Sequence, residues 1–325
     1  MAHSLAALLG ALWLAAAPPR PAPAAEPRFL FDIATVAGAS ESTWAPLAYD
    51  RQHDELFAVF GGRVHVFNAA AMESYTFGGD GDLGLVERLA LLENGEMLLL
   101  TREGGRRGVL RCDFRGERLG ALELKGLPAG FAGFDPDRVL AQGGKVHLVQ
   151  ASSMRVVVTD LQGQVERAHD LAGLVRAQDP SIKLGLSGFW VDPQGGYLFT
   201  MPLAFTAFAM SPAGELRQFG TRGSAPGKFN VVGAIASDEQ GNLFVLDRLR
   251  SVVLVFDRFL RFVQEFGYRG DGPTNLIAPY DLAVGNGKVF VSQARSRGVK
   301  VFQYESPAPA EAAAQGAPPA GGPGG

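Results

Sequence analysis

The chain has 325 residues, a formal charge of −3 and 47% hydrophobic residues, enough apolar material to bury a sizeable core. Gly and Pro number 42 and 20, a composition of short strands and turns rather than of a helical bundle. The single Cys, Cys112, excludes an internal disulfide framework and a Cys-based metal cluster, and the near-neutral charge gives no reason to expect nucleic acid as a partner.

In chain order, Leu5 to Ala17 form an uncharged apolar run of 13 residues, followed by an A-x-A site at Ala22-Pro23-Ala24. That length suits a signal-peptide core and is short for a membrane span of about 20 residues. Residues 1–24 are therefore expected to be a cleaved leader, with the mature protein periplasmic or secreted and without a membrane span. At the other end, Ser306 to Gly325 hold seven Ala, five Pro, five Gly and one charged residue, Glu311. Such a segment has no face to bury and reads as a disordered tail. Residues 25–305 are left for the folded domain.

Within that domain an element repeats. Phe77-Gly78, Phe219-Gly220 and Phe266-Gly267 are separated by 142 and 47 residues, which is a period of about 47. Inside each period a Gly or Asn turn precedes a short apolar run. Examples are Asn94-Gly95 before Met97–Leu100, Gly143-Gly144 before Val146–Val149, and Gly241-Asn242 before Leu243–Leu246. Further β runs follow, such as Val64–Phe67, Val156–Thr159 and Val252–Phe256, giving four strands per period and no room for a helix. Four-stranded antiparallel meanders at this spacing predict an all-β, six-bladed β-propeller whose inner strands start near Pro46, Val86, Gly130, Gly188, Gly233 and Pro279. The last blade lacks its outer strand, and the N-terminal run Phe29–Val36 is expected to supply it and close the ring. A monomer is expected.

Blade five, from Gly223-Ser224-Ala225-Pro226-Gly227-Lys228-Phe229 to Val255-Phe256-Asp257, resembles an NHL repeat, and so does blade six from Ala278 to Phe302. The resemblance implies a six-bladed propeller, used mostly as a binding platform and occasionally as an enzyme. An Arg often opens the third strand of such repeats; Arg63 and Arg155 match it, whereas Gly108, Val252 and Gly298 depart from it.

Catalytic chemistry finds little support. His53, His65, His147 and His169 fall at different places within their blades, so they are not expected to converge on a metal. Glu87 and Asp281, with help from Asn275, are the candidate Ca²⁺ ligands at the channel mouth; the alternative is that Asp281 satisfies backbone N–H groups. No resident cofactor is expected. Asp50, Asp192 and Asp238 precede the hairpin glycines and read as turn caps. Cys112 lies within a strand run and has no His placed beside it.

The loops between second and third strands open on one face. They carry Arg102, Arg106, Arg107, Arg155, Arg248, Arg250, Arg295 and Arg297 against Glu103 and Asp247, a local excess that would attract an anionic partner. Blade four breaks the pattern with an uncharged loop, Met201–Phe208, in which Phe205 is the candidate apolar anchor. The alternative is that the arginines pair with acidic residues of neighbouring linkers and that Phe205 and Phe208 are core. Two functions remain in view. One is an exported, non-enzymatic propeller that engages a protein or an anionic polymer through this face. The other is a propeller hydrolase or lyase with a divalent metal at the channel mouth.

Overall fold

Runs such as Val252–Phe256 are apolar at every position and mostly β-branched or aromatic, which suits a pleated strand covered on both sides. The computed structural model describes residues 25–33, 45–79, 81–294 and 297–306, and it arranges 24 such strands in six sheets of four. Strand β1 is Arg28–Ile33. Blade one is β2 (Leu47–Asp50), β3 (Glu55–Phe60), β4 (Arg63–Phe67) and β5 (Glu73–Phe77). Blade two is β6 (Leu85–Leu91), β7 (Met97–Glu103), β8 (Arg106–Cys112) and β9 (Arg118–Ala121). Blade three is β10 (Arg138–Gln142), β11 (Lys145–Gln150), β12 (Arg155–Thr159) and β13 (Val165–Asp170). Blade four is β14 (Phe189–Val191), β15 (Tyr197–Met201), β16 (Thr206–Met210) and β17 (Leu216–Phe219). Blade five is β18 (Val232–Ser237), β19 (Leu243–Asp247), β20 (Val252–Phe256) and β21 (Phe262–Gly267). Blade six is β22 (Pro279–Gly285), β23 (Lys288–Gln293) and β24 (Val299–Gln303), with β1 as its outer strand. The protein is a six-bladed β-propeller.

The predicted closure is present over Arg28–Ile33, and residues 34–36 of the expected run lie outside the described residues. β1 runs antiparallel to β24, with Phe29 opposite Phe302 and Ile33 opposite Val299. Lys300 donates to Asp32 Oδ1 at 2.9 Å and lies over the Phe29 ring, so the seam is held by packing as well as by the ladder.

The core is distributed between blades. Six apolar clusters fill the six interfaces between neighbouring blades. The period of a strand explains how: in β20, Val253 and Val255 enter the cluster shared with blade six, while Val252, Leu254 and Phe256 enter the one shared with blade four. Both faces of each central strand are therefore apolar, and the runs read as continuous. The Asp caps hold the hairpins as expected. Oδ1 of Asp50, Asp192 and Asp238 accepts backbone N–H bonds from Gln52, Gln194 and Gln240 respectively.

Two expectations are corrected. There is a helix: α1 (Leu171–Gln178) lies between blades three and four. Asp170 caps it by accepting from Gly173 N at 3.0 Å, and Leu171 and Val175 fill the interface cluster. The inner strand of blade three starts at Arg138, not near Gly130, because Ala129–Phe131 form a single 3-10 turn in the linker. The predicted leader lies outside the described residues, as does the predicted tail apart from Ser306. Ser306 Oγ donates to Asp238 Oδ2 at 3.3 Å. Among the described residues no helix is long and apolar enough to cross a membrane.

Candidate functional site

In a propeller the loops joining strands two and three, the starts of the inner strands and the blade linkers share one face. Three inner strands are irregular there. Pairing shifts between Val86 and Arg88 in β6, between Val232 and Ile235 in β18, and between Pro279 and Leu282 in β22. Such irregularities re-aim side chains. Here they put Glu87, Arg88, Tyr280 and Asp281 at the channel mouth, in walls completed by Asp137 and Arg138 at the start of β10. The mouth holds a cavity of about 500 Å³. A second cavity of about 50 Å³ shares Arg88, Arg138 and Tyr280 with it and reaches Arg248.

Glycines make this geometry possible. A Cβ on Gly188 would stand 2.3 Å from the carbonyl oxygen of Gly233, so blades four and five approach here only without one. Thr200 Oγ1 ties the same two residues, donating to Gly233 O at 2.6 Å and accepting from Gly188 N at 2.7 Å. A Cβ on Gly233 would meet Arg248 Nε at 2.6 Å, so the bare glycine is the bed on which that guanidinium lies.

The electrostatics of the mouth centre on guanidinium groups. Arg88 donates to Tyr280 Oη at 3.3 Å and stands 3.6 Å from Asp281 Oδ2. Arg138 donates to the Ser187 carbonyl at 2.8 Å and stands 3.6 Å from Asp137 Oδ1. Burial and the neighbouring charge of Arg88 push the Arg138 pKa down to about 10. Arg248 stacks over the Tyr280 ring and donates to the Tyr280 carbonyl at 3.4 Å.

The eight rim arginines separate into groups. Arg102 and Arg107 both bond Glu87, and Arg107 also reaches Asp135 at 3.1 Å. Burial pushes the Glu87 carboxyl up, but the hydrogen bonds from Arg107 and Arg102 outweigh it and hold Glu87 below the usual carboxylate range. Arg250 bonds Glu265 in a pair whose side chains are only 11% and 3% exposed. Arg297 meets Asp271 at 3.3 Å. Arg155 lies over the Phe131 ring. Arg248 belongs to the channel, Arg295 lies outside the described residues, and Arg106 is exposed with no ion pair among the described residues. The counter-charges come from inner strands, linkers and an outer strand of the same face. Asp247 is not one of them: it is fully buried and accepts from the N–H groups of Asn230, Leu249 and Arg250.

Phe205 is half-buried, in a left-handed conformation (φ 54°) that closes a 3-10 turn, and Arg222 covers its ring at 4.6 Å. Phe208 is core, 1% exposed. Besides Leu85 at the start of β6 and Tyr268 just after β21, the exposed apolar groups of this face include Leu203, Leu249 and Val231, at 57%, 65% and 41% exposure. These three lie on adjacent blades four and five, and the bond from Arg248 N to Val231 O sets Val231 beside Leu249. On the opposite face Phe114 and Phe259 are exposed on hairpin tips, with Arg115 over the first ring and Arg258 and Arg261 over the second.

The candidate metal ligands do not gather. Glu87 is held by two arginines, Asp281 accepts from Leu47 N and Leu282 N, and Asn275 donates to the carbonyls of Gly267 and Tyr268. His65 and His147 are buried in β4 and β11, and Cys112 is buried in β8, where burial pushes its thiol up to about 11.

The fold and this face define a β-propeller with a guanidinium-lined channel mouth. Solved structures share the architecture. A Bacteroides thetaiotaomicron protein of unknown function is similar at 13% identity and a TM-score of 0.60, over 87% of this chain and 74% of that one. A gluconolactonase from Xanthomonas campestris is similar at 14% identity and a TM-score of 0.57, over 90% and 99%. A streptogramin B lyase is similar at 12% identity and a TM-score of 0.55, over 88% and 90%. Likeness at this identity shows the fold alone. No protein-family model matches the chain, and no curated protein matches it.

Proposed function

We propose that the chain is an exported binding propeller of the NHL type, a monomer without enzymatic activity or resident cofactor, that docks an acidic protein segment on its loop face. The observation that carries the reading is the exposed set Leu203, Val231 and Leu249 on adjacent blades, with Arg106 and the Arg222–Phe205 stack on the same face. Apolar anchors rimmed by guanidinium groups have the composition of an interface centre. The export part rests on the apolar N-terminal run and the A-x-A site, and places the protein in the periplasm or outside the cell.

The hydrolase or lyase alternative needs ligands for a divalent ion. The residues at the mouth do not fit one, since Glu87 and Asp281 are committed to arginines and backbone N–H groups and, among the described residues, no three His, Cys, Asp or Glu side chains come together to hold an ion. That two of the similar structures are a lyase and a gluconolactonase does not favour it, because the propeller hosts both uses.

The test compares wild type with a Leu203→Asp, Leu249→Asp double variant in pull-downs from an extract of exported proteins. Both substitutions are at exposed positions, so thermal unfolding should be little changed. The expected result is a partner captured by wild type, released by raised salt and lost from the variant. The same partners on both proteins, at low and high salt alike, would contradict the reading.

A further inference from the structure

The apolar strip of the loop face runs up to the channel mouth. Leu249 follows Arg248, which lines the smaller cavity, and Val231 O accepts from Arg248 N at 2.9 Å. Leu203 lies on Gly185, where a Cβ would stand 3.0 Å from its Cδ1, and two residues further on Ser187 and Gly188 line the same cavity. That cavity shares Arg88, Arg138 and Tyr280 with the larger one of about 500 Å³. A segment docked on the strip therefore has the mouth beside it.

Arg88 and Arg138 reach the mouth from neighbouring blades with 22% and 19% of their side-chain surface exposed. The carboxylates that accompany them, Asp281 and Asp137, stand at 3.6 Å, beyond hydrogen-bond reach. A guanidinium carries five donor hydrogens. Arg88 donates to Tyr280 Oη and Arg138 to the Ser187 carbonyl, so both keep capacity for an acceptor in the cavity. Burial, and then the charge of Arg88, lower the Arg138 pKa, so the two cations are near enough to repel each other, and an anion between them relieves that repulsion. The two cavities together are lined by Arg88, Arg107, Arg138 and Arg248 against Glu87, Asp137 and Asp281, an excess of one positive charge. The larger cavity also has an apolar lining. Its exposed member is Leu85, which lies over Gly62, where a Cβ would stand 2.2 Å from its Cδ1.

We propose that the mouth takes the C-terminal carboxylate of the docked protein, whose last residue has an apolar side chain; the inference rests on the docking reading above. Arg88 and Arg138 hold the carboxylate through charge-assisted bonds, for which planar guanidinium is suited. The last side chain packs against Leu85 in the larger cavity. An internal Asp or Glu fits less well, because its carboxylate has no apolar group beside it, whereas a C-terminal residue carries both on one Cα. One carboxylate matches the single excess charge. A free small acid would meet the arginines and Leu85 alike but would leave the adjoining strip unused.

The experiment is calorimetric titration of the purified full chain with four probes. They are an N-acetylated acidic hexapeptide ending in leucine, its C-terminal amide, the same peptide ending in aspartate, and isocaproate. The leucine-ended free acid should bind at least tenfold more tightly than the other three. Arg88→Gln and Arg138→Gln should each weaken it at least tenfold, while Arg111→Gln, whose pairing with Glu96 is remote from both cavities, should not. Leu85→Asn, at an exposed position, should erase the preference for leucine over aspartate. The comparison of acid with amide on wild type keeps the test decisive if an arginine variant fails to fold. No binding of any probe, equal binding of acid and amide or of the leucine- and aspartate-ended peptides, or isocaproate binding as tightly as the hexapeptide would overturn the proposal. The two readings fail separately: capture lost from the Leu203→Asp, Leu249→Asp variant together with equal binding of acid and amide keeps the docking and removes the terminus, whereas unchanged capture removes the docking itself.

Discussion

His147 is 3% exposed in β11, with its ring set edge-on against Tyr197 and its Nδ1 unpartnered among the described residues. Burial, with the charges of Arg167 and His169, pushes its pKa down to about 4 from an ordinary 6.5. Between those values the unfolded chain binds a proton that the folded one refuses. Stability present at neutral pH is therefore lost as pH falls from about 6.5 to about 4, and the loss levels off below that. A shift of this size corresponds to about 3 kcal/mol. The expected outcome is that the denaturant midpoint of wild type drops across this range more steeply than that of His147→Leu; parallel curves would contradict it. At the same scale, the sequence showed some roles and hid others. Asp50, Asp192 and Asp238 were legible as caps because an Asx bond is local, made within a few residues. Arg88 and Arg138 were not, because their importance comes from meeting at the channel mouth from the inner strands of neighbouring blades, a relation no local window contains. One signal was available: both sit at inner-strand starts, the level at which Glu87 and Asp281 drew attention.

Strand β1 shows how an element far away in sequence completes another. Its pairing with β24 covers the last open edge of the ring, and Ile33 joins the cluster between blades six and one. Burying one large apolar side chain is worth about 1.5–3 kcal/mol, and β1 brings Phe29 and Ile33 besides its ladder. Removing residues 25–33 should therefore lower the thermal midpoint markedly and promote self-association through the bared edge of β24. An unchanged midpoint would mean that the ring does not depend on this closure. The closure was readable because blade six lacked a strand and the N-terminal run lacked a blade. Helix α1 was not, because a count of strands per period assumes linkers of equal length. Asp170 followed by Leu171 and Val175 at helical spacing is the cap and apolar stripe that would have revealed it.

For the whole molecule, the propeller form was legible because its core is a repeated local pattern, a continuous apolar run covered on both faces by neighbouring blades. The charge of its loop face was not. Counting only the loops between strands two and three left out Glu87, Asp135, Glu265 and Asp271, which neutralise much of the arginine rim from other elements of the same face. What remains is an apolar strip on blades four and five beside a cationic mouth. If that strip is where a partner docks, amide hydrogen exchange of the captured complex, compared with the free protein, is the most direct measurement. The account predicts slowed exchange in residues 202–206, 229–232 and 248–251, with the hairpin tips at 113–117 and 257–261 unchanged. Protection at those tips with an unaltered loop face would contradict it.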